Sequence, residues 1–191
     1  YRTATESFAA IYVAADTVTP QGIDGLTFVL SELLVRGNFA DANSGLVLDW
    51  SGAGLTLPTN IGGYDATERL DVQITIDELN IEDALLLTGT ITLTTAKDVT
   101  VDSVTGDLLY LALSDFNVFA GQGAMISGGV INAANASGFL ATGGSVAIGI
   151  LTDVSTPTAP VQYTGVVGAL TGVTVQGLPS VTIELAGFDF A

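Results

Sequence analysis

The sequence predicts an all-β protein, organised as a β-solenoid-like or stacked β-sandwich repeat module, and three observations predict it. Apolar residues recur with a period of two over most of the chain, the spacing of strands that bury one face. The alternating segments are separated by Gly-, Asn- and Asp-rich turn sequences, as between the strands of a sheet protein. A segment near the start of the chain recurs near its end at a constant offset of 155 residues, which is the mark of a repeat architecture.

The recurring segment is the first element. Residues 14–30 (AADTVTPQGIDGLTFVL) align with 169–185 (ALTGVTVQGLPSVTIEL), with identities at Ala14/Ala169, Val18/Val173, Thr19/Thr174, Gln21/Gln176, Gly22/Gly177, Thr27/Thr182 and Leu30/Leu185. The apolar pattern is kept at Ile23/Leu178, Leu26/Val181 and Phe28/Ile183. Residues 1–40 are therefore read as the end of a preceding repeat. Residues 41–191 are read as one module of about 155 residues continuing beyond the chain end.

Turn chemistry follows at Asp41-Ala42-Asn43-Ser44-Gly45 and Asn60-Ile61-Gly62-Gly63. Leu70, Val72, Ile74 and Ile76 then alternate with Asp71, Gln73, Thr75 and Asp77. Residues 77–86 (DELNIEDALL) fit either a short helical turn or a corner between two strands. Beyond them Leu87, Ile91 and Leu93 share one face, with threonines on the other. Val104-Thr105-Gly106-Asp107 reads as a turn, Leu109, Leu111 and Leu113 as the next strand, and Gly121-Gln122-Gly123 as a further turn. Val146, Ile148 and Ile150 alternate in the same way, and so do Ile183 and Leu185. The spacing predicts ten to twelve strands, each with one buried face.

Charge narrows the function classes. Twenty acidic residues stand against four basic ones (Arg2, Arg36, Arg69 and Lys97), a net charge of −16. Binding to nucleic acid depends on Lys and Arg displacing counterions, so this chain is not expected to bind it. No run of apolar residues is long enough for a transmembrane helix. Cysteine and histidine are both absent. Disulfides, thiolate metal sites, imidazole ligands and Ser-His or Cys-His catalytic pairs go with them. The chain opens on Tyr1 with no basic-then-apolar leader and is read as a mature or excised segment. Residues 116–191 hold only Asp153, Glu184 and Asp189 as charged groups, so much of this segment is expected to be covered by sheet stacking, by the next repeat or by neighbouring subunits.

Two segments carry a resemblance. The order Tyr-Thr-Gly-Val-Val-Gly-Ala-Leu-Thr-Gly-Val-Thr-Val-Gln-Gly-Leu-Pro-Ser-Val-Thr-Ile-Glu-Leu at 163–185 resembles recurring modules of giant repetitive bacterial surface proteins, and Ala-Leu-Ser-Asp-Phe-Asn-Val-Phe-Ala-Gly at 112–121 does so too. Those proteins are adhesin- or haemagglutinin-like, some of LEPR-XLL type. The similarity spans most of residues 85–191, and residues 46–70 match least. It implies a secreted, surface-anchored or fibrous protein and brings no active-site residues with it.

Acidic groups supply the candidate sites. Asp77, Glu78, Glu82 and Asp83 form a run that could hold Ca²⁺, which takes oxygen ligands, but its spacing is not that of an EF-hand loop and a solvated acidic corner is the simpler reading. Asp98, Asp102 and Asp107 flank a hairpin-like turn and are read in the same way. Glu32, Glu78 and Glu184 are the glutamates available for glycoside chemistry, and Trp50 with Tyr64 for a sugar platform, although a single Trp in a sheet protein is more often a packing residue. Asn135-Ala136-Ser137 fits the glycosylation pattern. None of these outweighs its ordinary structural role, so no enzyme and no obligatory cofactor is expected. The reading is a structural repeat module of an extracellular or cell-surface filament protein, with neighbouring copies of the same module as partners. The alternative is an adhesin-type binding module for a carbohydrate or surface ligand, with calcium-stabilised loops.

Overall fold

A computed structural model of the chain describes residues 6–19, 23–42, 44–51, 64, 66–155, 159–177 and 184–190. Ten strands form: β1 (Ala9–Val18), β2 (Leu26–Phe39), β3 (Arg69–Ile81), β4 (Leu85–Val101), β5 (Val104–Gln122), β6 (Met125–Ser127), β7 (Val130–Asn132), β8 (Ser137–Asp153), β9 (Val161–Gln176) and β10 (Glu184–Phe190). The fold is all-β. No helix in the described residues is long and apolar enough to cross a membrane.

Eight strands make one antiparallel sheet in the order β1-β2-β3-β4-β5-β8-β9-β10, and β6 and β7 form a separate hairpin. Each strand pairs with its sequence neighbour, apart from the β6–β7 excursion between β5 and β8. The described residues thus build one long meander, rather than the rungs of a solenoid or the two layers of a sandwich. Short antiparallel connections favour this arrangement, because a two- or three-residue turn returns the chain beside itself. β2 pairs with β3 from Leu26↔Ile81 to Asn38↔Arg69, so the sheet crosses residue 40 without a break.

The turns show the local chemistry. Asp102 and Ser103 join β4 to β5 with φ of 46° and 73°, and Gly128 and Gly129 join β6 to β7 with φ of 57° and 75°. Two consecutive positive φ values give the turn whose twist suits a tight hairpin. The expected turn at 104–107 is therefore corrected: Val104 to Asp107 lie in β5, and the reversal falls just before them. Residues 77–86 form no helix. They end β3, turn at Glu82 and Asp83 (φ 51° and 53°) and begin β4. The turn expected at Asn60-Ile61-Gly62-Gly63 lies outside the described residues.

Strand parity decides where the apolar side chains go. Val13, Val35, Val72, Leu93, Leu111, Ile148 and Val166 are cross-strand partners in one unbroken row. A second row farther along the strands runs Phe28, Leu79, Leu87, Val118, Ala141 and Val173. Within β4, Leu87 and Leu93 share parity and so lie on the same face. In β5 the equivalent pair, Leu111 and Val118, differ by an odd number of residues. An extra residue reconciles them: the register shifts between Leu113 and Phe116, where Asp115 has φ 51°. Matching irregularities occur at Glu32 in β2, around Asp77 in β3 and at Gly143 in β8. One inserted residue flips every later side chain to the other face. These bulges therefore keep the aliphatic residues on a single face along the full length of the strands.

Among the described residues, the β6–β7 excursion covers part of the opposite face, whose Tyr110, Tyr163 and Val167 stay exposed. Leu86 and Phe119, both fully buried, point there and pack with Ala124, Ala133, Ala136, Ile126 and Ile131 of the β6–β7 excursion. Toward the β1–β2 side, Trp50 packs near Asn38 on the same face. The sequence-based expectation that the alternating aliphatic residues are buried holds for Ile76, whereas Leu70, Val72, Ile74, Ile91 and Leu93 are half-buried and others are exposed. Val13, Leu111 and Val166 remain 44%, 44% and 42% exposed, with no second layer over them among the described residues. The accessible surface of 11486 Å² exceeds by about a third the roughly 8,500 Å² of a compact monomer of this mass. The nearly uncharged half is bare as well, and Val161 to Val167 are exposed at every position.

Candidate functional site

The acidic run at the β3–β4 corner does not converge. Asp77 sits at the bulge of β3 with its carboxylate toward Gly129 of the β6–β7 turn, while the Glu82 side chain lies against Gly25. Asp83 is held by Asn80, whose Nδ2 donates to Asp83 Oδ1 (2.8 Å) and whose Oδ1 accepts from the Asp83 amide (2.9 Å). Among the described residues no three acidic side chains come together as a metal-binding group. Alternation in a strand and reversal at its turn spread neighbouring carboxylates over different directions, which spacing alone does not reveal.

The glycoside candidates lie on three different strands. Glu32 is an exposed bulge residue of β2, Glu78 lies on β3, and Glu184 opens β10. Trp50 is buried, with its Nε1–H donating to Asn38 Oδ1 (2.9 Å), while Asn38 Nδ2 donates to the Leu48 carbonyl (3.1 Å). Tyr64 accepts the Trp50 amide at its carbonyl (2.9 Å) and donates its hydroxyl to the Ile11 carbonyl (3.0 Å). Burial pushes the Tyr64 hydroxyl pKa up, opposed by the Arg36 guanidinium and reinforced by the Asp71 carboxylate. These hydrogen bonds tie Trp50 and Tyr64 to β1 and β2. Asp41, also buried, helps them: its carboxylate accepts from the Ser7 amide (2.7 Å) and from the Ser44 amide and hydroxyl (2.8 and 3.0 Å). Asn135 is exposed in the turn before β8.

The three basic residues among the described ones are engaged in ion pairs. Arg36 Nη2 lies 3.8 Å from Asp71 Oδ2, and Arg69 Nη2 lies 2.8 Å from Asp71 Oδ1, which also accepts from Thr94 Oγ1 (2.8 Å). Lys97 Nζ pairs with Glu68 Oε2 at 3.0 Å, and this hydrogen bond and charge raise the lysine pKa. Asp153 has its pKa lowered by hydrogen bonds from Ser155. Every one of these contacts has an evident structural role.

What remains among the described residues is surface: besides a depression of about 500 Å³ on the opposite face beside Tyr110, Tyr163 and Val167, two kinds stand out. One is the aliphatic face, with a shallow depression of about 160 Å³ lined by Ile91, Leu111, Leu113, Val146 and Ile148. At the end nearer the β4–β5 turn it meets a polar margin, where Glu68, Lys97, Asp107, Thr152 and Gln162 border a depression of about 480 Å³. The other surface is the pair of sheet edges. The β9–β10 hairpin has the register of the β1–β2 hairpin displaced by 155 residues. Val18↔Leu30 corresponds to Val173↔Leu185, Thr17↔Ser31 to Gly172↔Ala186, Ala15↔Leu33 to Leu170↔Phe188, and Ala14↔Leu34 to Ala169↔Asp189. The two hairpins thus share one strand register at an offset of 155 residues. No family model, curated protein or solved structure matches the chain.

Proposed function

We propose that this chain is a structural module of an extracellular or cell-surface bacterial filament protein, and that its copies join in series through their sheet edges. The observation that carries the reading is the shared register of the β1–β2 and β9–β10 hairpins. β10 occupies the place of β2, and β2 pairs on its other side with β3. A following period that places its own β3 beside β10 continues the sheet without a new kind of contact. An unpaired edge is a liability in isolation and a template in an array. Stability in such an array accrues through interfaces between neighbours.

The absence of histidine and cysteine from the whole sequence fits a load-bearing rather than a chemical role. The acidity suits solubility outside the cell, where salt screens self-repulsion.

The test is a two-period protein. Ala191 is equivalent to Arg36, so the second period begins at Gly37 and follows Ala191 directly. The expected result is one cooperative melting transition at a higher temperature than that of the single chain. Two independent transitions, or an unchanged melting temperature, would overturn the proposal.

A further inference from the structure

The aliphatic face points to a partner of a specific kind: we propose that it docks against the same face of a second copy of this chain, so that two open sheets close into a sandwich. This goes beyond the edge-to-edge reading and does not rest on it, since it concerns the face of the sheet and not its edges.

Three features carry the inference. The first is area. The eight strands run from 7 residues in β10 to 19 in β5, about 45 Å on average, and at a spacing of about 4.8 Å they span a face of roughly 1,500 Å², about twice the 800 Å² or so that each partner contributes to a stable interface. The second is charge. The rows from Val13 to Val166 and from Phe28 to Val173 contain no charged residue, although the chain carries a net −16. The charges near this face stand at its margin, at Glu68, Lys97 and Asp107. An apolar centre inside a polar rim is the anatomy of an interface. The third is geometry. The bulges at Glu32, Asp115 and Gly143 hold aliphatic residues on one side across the sheet, and among the described residues the β6–β7 excursion packs on the other side.

The surface that best fills a broad, charge-free aliphatic sheet is another such sheet, packed about 10 Å away. This chain supplies one. A two-fold arrangement pairs the face with itself, so no further partner is needed.

The experiment is analytical ultracentrifugation of the chain in physiological salt, with Leu111→Lys on the aliphatic face and Tyr110→Lys on the opposite face as its control. The wild-type chain is expected to associate, Leu111→Lys to sediment as a monomer, and Tyr110→Lys to associate as the wild type does. Far-UV circular dichroism checks that each variant is folded. A second measurement avoids dependence on the lysine variant. The native sequence has no cysteine, so Leu111→Cys introduces a single thiol, and spin labels there should report an intermolecular distance consistent with facing sheets. A monomeric wild type overturns the proposal, and so does association that Leu111→Lys leaves intact. Labels too far apart to interact overturn it independently. A monomer that instead floats with zwitterionic phospholipid vesicles reassigns the face to lipid and counts against a second copy.

Discussion

Glu32 and Gly187 occupy the same place in two hairpins, at the unpaired bulge position, and both have a positive φ, 51° and 67°. Glycine adopts that conformation without cost, whereas a residue with a Cβ pays about 1–2 kcal/mol for it. The bend is therefore a demand of the backbone at that level of the sheet, met by a favourable residue in one hairpin and a strained one in the other.

Glu32→Gly is expected to stabilise the chain by about 1 kcal/mol, after allowing for the larger entropy of glycine in the unfolded state. The corresponding rise in melting temperature is about 2–4 °C. Differential scanning calorimetry decides it, and a lower melting temperature would show that the Glu32 side chain matters more than its backbone.

Phe116 follows the bulge residue Asp115, and its ring lies over Gly144 on the adjacent strand, where an added Cβ would collide with the ring carbons. Gly144→Ala forces the ring aside and should destabilise by about 1–3 kcal/mol, the usual range for overpacking. Urea denaturation followed by circular dichroism measures the loss.

Trp50 is the single tryptophan and its indole N–H has Asn38 as acceptor. Asn38→Leu removes that acceptor in a buried place and should cost about 1–3 kcal/mol. Trp50 fluorescence gives the unfolding curve directly. An unchanged midpoint would mean that another acceptor takes the indole N–H.

Stability should fall at high pH. Tyr64 and Lys97 both have pKa values raised above their ordinary 10.0 and 10.5. The folded chain then holds more protons than the unfolded one in that range, so stability declines as pH rises. The contribution is complete below about pH 10 and is lost as pH climbs through the raised values. Asp153 acts at the other limit: its lowered pKa gives a contribution present above the usual 3.8 and lost as pH falls through the folded value. Thermal melts across pH, with Glu68→Gln to release Lys97 from its partner, test the alkaline limb. That variant should flatten it.

Calcium is expected to leave the melting temperature unchanged at millimolar concentration, because Asp77, Glu82 and Asp83 face different neighbours. A site filled at a hundred times its Kd would add about 2.7 kcal/mol, easily seen by calorimetry. Such a rise would restore the adhesin-like alternative.

Much of the sheet is legible in the sequence, because alternation at Leu70 to Ile76, Leu87 to Leu93 and Leu109 to Leu113 translates directly into strand faces. The parity change between Leu113 and Phe116 is legible too, as an odd spacing between apolar residues, but it acquires meaning only once the neighbouring strand is known. The turn before β5 misleads because Thr105, Gly106 and Asp107 have turn composition while Asp102 and Ser103 adopt the turn. The β6–β7 hairpin is brief, and its signal is only Gly128-Gly129 between pairs of apolar residues. Alternation tells which side of a strand is aliphatic and is silent about what lies over it. That is why the bare face was invisible until the strands were assembled.

The two rims of the sheet are unlike, since β1 stands where β9 stands and β10 where β2 stands. Contacts between unlike rims do not close on themselves when the displacement is a simple advance along the sheet. A filament made this way has a direction, with a leading rim and a trailing rim that never exchange roles. On the proposed reading its length would be open-ended, whereas its thickness would stop at two layers once the aliphatic sides had met.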